Sequence, residues 1–106
     1  MKRGKTMEKE NVSKGFEILM NETGEVGTSF AQLVESLTNE SVLDKKTHDL
    51  AYISVLTALK AYSGLPFHIS LAMQHGASIE EIKSAMLICM PLIGLQVKEA
   101  LIYLPR

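Results

Sequence analysis

The sequence predicts an all-α protein, a single-domain bundle of about six helices. Three observations carry that prediction. Apolar residues recur at the 3.6-residue helical period along most of the chain, while β signals are scarce. Helix starts are written chemically at Asp44 and in the capping box Ser78-Ile79-Glu80-Glu81. Glycine and proline punctuate the pattern at Gly24, Gly27, Gly64, Pro66, Gly76, Pro91 and Gly94. The length of 106 residues suits one domain.

The first expected helix covers about residues 12–21, with Phe16, Leu19 and Met20 on one face, and Gly24 and Gly27 interrupt it. A second runs over about 28–37, where Phe30, Leu33, Val34 and Leu37 fall at i, i+3, i+4 and i+7. Asp44 caps a third, expected over 45–63, which turns apolar nearly all round after two turns. Such a helix is buried centrally or by a partner chain. Gly64 is expected to end it in a left-handed turn, and Pro66 suits the first turn of a fourth helix over 66–75, closed by Gly76. The capping box opens a fifth over 79–90, Pro91 stops or kinks it, and 95–104 reads as the last.

Composition narrows the function. Hydrophobic residues make up 46% of the chain, enough for a core, and a net charge of −1 leaves no electrostatic footprint for nucleic acid. The basic cluster Lys2, Arg3, Lys5 reads as a solvated terminus. Charged residues from Lys2 to Glu10 argue against a signal peptide, and the apolar run over 84–97 is too short to span a bilayer and is broken by Pro91, so no membrane role is expected. The lone thiol, Cys89, cannot form an internal disulfide. It suits a reducing cytoplasm and, within an apolar run, reads as buried and inert. Two glycosylation-type triplets, at Asn21 and Asn39, read as accidental without a secretory signal.

Known chemical motifs are mostly absent. Gly4-Lys5-Thr6 lacks the upstream glycine of a phosphate-binding loop, and there is no Cys-x-x-Cys, His-Glu-x-x-His or Gly-x-Ser-x-Gly. His68 and His75 share a helix face but stand about 10 Å apart along the axis, too far for the two alone to hold one metal ion. What remains is Asp49, near the start of the long apolar helix, and His68, in the first turn of the next. If the two side chains meet, the carboxylate orients the imidazole and leaves its other nitrogen for a ligand. On the local sequence alone, a structural, hydrogen-bonded His68 is the favoured reading over a working one.

Residues 43–94 resemble the carboxymuconolactone decarboxylase and alkylhydroperoxidase D family. The resemblance rests on the capped start Lys46-Thr47-His48-Asp49-Leu50, on His68 leading a helix that ends in Gly76-Ala77-Ser78, and on the helix beginning Ile79-Glu80-Glu81-Ile82. Pro91 and Gly94 follow in place. It implies an alkylhydroperoxidase D-like fold over residues 1–106. In the peroxidase branch an acidic residue precedes Cys-x-x-Cys-x-x-x-His. Here Asp49 and His68 fall at the acidic and histidine positions, and Ala61 and Gly64 replace the two cysteines. Thiol peroxidase chemistry needs an attacking and a resolving thiol, so it is rejected.

The decarboxylase branch lacks those cysteines too. Resemblance to it implies a cofactor-free lyase, without metal, that removes CO₂ from a small lactone or carboxylate. His68 would act as general acid or oxyanion donor, oriented by Asp49. Ser63 is a candidate for binding an anionic substrate group at the helix start, and Lys60 is the nearest cation in sequence, although a solvated surface lysine is its ordinary reading. A non-catalytic small-molecule-binding or scaffold role is the alternative: an enzyme needs His68 reachable, whereas a scaffold expects it buried and hydrogen-bonded. A DNA-binding helix-turn-helix over 68–90 is disfavoured by Glu80 and Glu81 at the start of its second helix. The apolar surplus, with Met73, Met86, Leu87, Met90 and Leu92, exceeds what a lone small bundle buries. The resemblance implies a homo-oligomer, a ring-like hexamer of dimers.

Overall fold

The computed structural model describes residues 12–106. Every regular element among them is helical: α1 (Lys14–Glu22), α2 (Glu25–Glu40), α3 (Lys45–Ala58), α4 (Leu65–Gln74), α5 (Ile79–Leu87), and two single turns, α6 (Met90–Ile93) and α7 (Lys98–Leu101). Short 3₁₀ turns at Tyr62–Gly64 and Gly94–Val97 join α3 to α4 and α6 to α7. The expected all-α bundle of about six helices is therefore present, with the last predicted helix reduced to a 3₁₀ turn and one α-turn.

The caps form as the sequence writes them. Asp44 Oδ1 accepts from the Thr47 amide at 2.8 Å, and the backbone donors at that exposed helix start, Thr47 first, hold the Asp44 carboxyl below its ordinary range. Ser78 and Glu81 exchange both bonds of the capping box, at 3.0 and 2.9 Å. The Ser78 amide, and then Lys46 at 3.0 Å, lower the Glu81 carboxyl. The same Lys46–Glu81 contact ties the start of α3 to the start of α5.

Two junctions depart from expectation. α3 stops at Ala58, and the left-handed residue that ends it is Lys60 (φ 60°), with the Ala61 amide bonding back to the Leu56 carbonyl. Gly64 has φ −86° and belongs to the 3₁₀ turn, so its smallness serves a different need. A Cβ there would meet Leu56 Cδ2 at 3.2 Å. α2 begins at Glu25, earlier than the glycines suggested, because Gly24 takes the turn (φ 60°) while Gly27 lies inside the helix against α1. A Cβ on Gly27 would stand 2.4 Å from the Leu19 carbonyl oxygen, so only glycine permits this crossing.

The core is built from α3 onward. Ile53, Leu65, Ile69, Ala72, Ala77, Ile82, Met86 and Ala100 form one buried cluster. The α1–α2 hairpin adds nothing to it. Its buried residue is Gly27, and its Phe16 and Phe30 rings meet edge to face at 6.2 Å. The stretch Ile79–Leu101 has, among the described residues, the length and mean hydropathy (1.4) to cross a membrane. It is not a straight rod, since Gly94 turns with φ 78° between α6 and α7.

Candidate functional site

The α1–α2 hairpin lies over one side of the core and leaves a cavity of about 560 Å³ beneath it. Phe16, Leu19, Phe30 and Val34 form the hairpin wall. Tyr52, Val55 and Leu56 of α3 face it, and Ser63, Gly64, Phe67 and His68 close the end where the 3₁₀ turn runs into α4. Val12 and Ser13 also line it. Ser13 also caps α1, accepting from the Phe16 amide at 3.3 Å. No residue of this wall, among those described, carries a formal charge.

His68 is the wall's titratable imidazole. Tyr52 meets it edge-on at 4.7 Å and Phe67 at 5.1 Å. His48 stacks against the far side of Tyr52 at 5.4 Å, which makes a short aromatic ladder from the start of α3 to the start of α4. The His68 Nδ1 is buried without a hydrogen-bond partner among the described residues. Burial pushes the imidazole below its ordinary value of 6.5. The Asp49 charge opposes that shift and His48 adds to it. At neutral pH His68 is therefore an uncharged ring in an apolar wall.

The expected Asp49–His68 pair is not made. Asp49 Oδ2 instead meets Nδ1 of His75 at 2.5 Å, with the carboxylate side chain 5% exposed and the imidazole 28%. The reason is antiparallel register. α3 and α4 run in opposite directions from the connection between them, so the start of α3 lies beside the end of α4. Asp49 consequently reaches His75, the C-cap of α4, while His68 meets Tyr52, three residues further along α3. Asp49 acts on His68 through its field alone.

Ser63 does line the cavity, as an anion-binding candidate should. Lys60 does not: it is exposed, outside the wall, at the left-handed residue that ends α3. Cys89 is buried, donates to the Met86 carbonyl at 3.3 Å and is not part of the cavity. Tyr52 beside His68 and His75 beside Asp49 were not anticipated. Tyr52 follows His48 at i+4 on one helix face, and that spacing was the available signal.

The model of the carboxymuconolactone decarboxylase family matches residues 24–104. The chain belongs to that family. The match begins at the turn between α1 and α2 and takes in α2 through α7, so it includes every wall of the cavity except the α1 side. No curated protein and no solved structure matches the chain.

Proposed function

We propose that this family member binds a small molecule in the cavity under the α1–α2 hairpin and that His68 supplies the polar contact. The observation that carries the reading is the pairing of one accessible, uncharged imidazole with a largely apolar, partly open cavity of ligand size. His68 then works as a hydrogen-bonding group or as a base, not as a stored proton, because burial favours its neutral form.

Lyase chemistry on a small lactone or carboxylate is the second reading, favoured by the same ring. A neutral imidazole can donate its N–H to the enolate oxygen that develops as CO₂ leaves, and a water-poor wall strengthens that bond. In this reading Asp49 acts at a distance through its charge, and Ser63 is a further polar group for the substrate. A dianionic substrate finds no cation on the described wall. We further propose a homo-oligomer, on the hexamer-of-dimers plan that the family resemblance implies, and a cytoplasmic setting that suits the free Cys89 thiol.

The test is histidine-selective NMR of the imidazole resonances during titration with a panel of small lactones, ketones and carboxylates, with CO₂ release followed in parallel. Saturable movement of the His68 resonance, absent from His68→Gln, is expected. A panel that moves no histidine resonance would remove the site. Binding without CO₂ release would leave the binding role and remove the lyase.

A further inference from the structure

The composition of the wall and the state of one ring atom specify the ligand more narrowly; the step rests on the small-molecule reading above. We infer that the cavity takes an uncharged, largely apolar molecule carrying one carbonyl-type acceptor, and that Nε2–H of His68 donates to that acceptor. Three observations support this. No described wall residue is charged, so a carboxylate or ammonium meets no ionic partner among the described residues to offset its desolvation. The wall is dominated by aromatic and aliphatic faces, among them Phe16, Phe30, Val34 and Phe67, which suits a ring-containing skeleton. The third observation sets the polarity of the contact.

His68 lines the cavity, yet its Nδ1 is closed off and has no partner among the described residues. The polar ring atom left to meet a ligand is therefore Nε2. A neutral imidazole carries one proton, which can sit on either nitrogen. A buried N–H without an acceptor is rarer and more costly than a buried lone pair without a donor. The proton accordingly resides on Nε2, and the ring offers a donor. An acceptor on the ligand completes it, whereas a second donor would leave both groups unpaired. Ketones, lactones, esters and tertiary amides on a one- or two-ring apolar frame fit this description.

Three naphthalenes of nearly equal shape separate the possibilities: 2-acetylnaphthalene, 2-naphthoate and 2-ethylnaphthalene. The chain has no tryptophan, so their fluorescence is read against a clean background. At neutral pH, 2-acetylnaphthalene should bind saturably, about tenfold or more tighter than 2-naphthoate and measurably tighter than 2-ethylnaphthalene. His68→Phe, which keeps the ring shape, should abolish the difference between the acetyl and ethyl compounds. Val55→Arg, at a half-exposed position on the wall, should raise naphthoate affinity by supplying a cation that the described wall lacks.

Naphthoate binding as tightly as the ketone would overturn the neutral-ligand inference and leave the small-molecule reading standing. Equal binding of the ethyl and acetyl compounds to the wild type would overturn the donor assignment. Failure of all three to bind, to the wild type and to Val55→Arg alike, would overturn both the inference and the reading beneath it.

Discussion

His68 bears a stability cost that its neighbours do not relieve. An unpaired buried nitrogen costs about 1–3 kcal/mol, and desolvation disfavours the charged ring as well. His68→Leu removes both penalties at the edge of an existing cavity. The expected outcome is a thermal midpoint several degrees above the wild type by circular dichroism, since about 1 kcal/mol moves a domain of this size by roughly 4–8 °C. A fall of similar size would show that the ring is held for packing. The pH dependence follows from the direction of the shift. The folded-state pKa lies below 6.5, so on acidification the unfolded chain takes up the proton first. Stability therefore falls as pH drops from about 6.5 through the lowered folded value. Urea unfolding at about pH 7.5 and about pH 5 should show a larger acid loss in the wild type than in His68→Leu. Asp49, His48 and His75 are common to both proteins, so the difference isolates His68. An identical loss would mean that the ring titrates as it does in water.

At the scale of elements, the α1–α2 hairpin depends on one close crossing. Gly27→Ala places a methyl group 2.4 Å from the Leu19 carbonyl oxygen, on backbone that cannot swing aside. About 1–3 kcal/mol of destabilisation is expected. Ligand affinity should fall too, because Leu19 and Phe30, on the two arms, both line the cavity. Gly15→Ala is the control: nothing lies within 4 Å of its added Cβ, and alanine is the better helix former, so that variant should match or exceed the wild type. Equal behaviour of the two variants in unfolding and ligand titrations would show that the hairpin separates without cost to the site.

Much of this architecture was legible in the residues. Asp44, Ser78 and Glu81 announced two helix starts, because their side chains bond amides three residues away and need nothing distant. The stop of α3 was not legible. Its left-handed residue is a lysine, with a glycine four positions later drawing the expectation to the wrong place. His68 was legible as a candidate through the family pattern, and it lines the cavity, but the contact that Asp49 makes was not legible. Antiparallel register, set by where α3 stops and how many residues the connection spends, decided that Asp49 meets His75.

The whole molecule leaves a large apolar surface open, and the segment from α5 to the second 3₁₀ turn concentrates it. Ile88 is 70% exposed, Leu92 87% and Leu95 71%, within eight consecutive residues that contain no charged side chain. The radius of gyration, 14.2 Å, exceeds the ~13 Å of a compact chain of about 100 residues, in keeping with a hairpin that covers the core across a cavity rather than packing into it. A free monomer with this surface would expose a continuous patch of a kind that soluble monomers avoid. Covering it with further copies of the chain buries these side chains at roughly 25 cal/mol per Å². Sedimentation should therefore give a mass that is a multiple of 11.7 kDa at micromolar concentration. Leu92→Asp together with Leu95→Asp should shift the distribution toward the monomer, because each places a charge in the proposed interface, while helicity is retained, since neither residue contributes to the core. If the cavity is completed within one chain, the double variant should still bind 2-acetylnaphthalene with wild-type affinity. Loss of binding in step with loss of mass would instead assign part of the wall to a neighbouring copy. A wild type that sediments as a monomer would mean that this patch faces something other than itself.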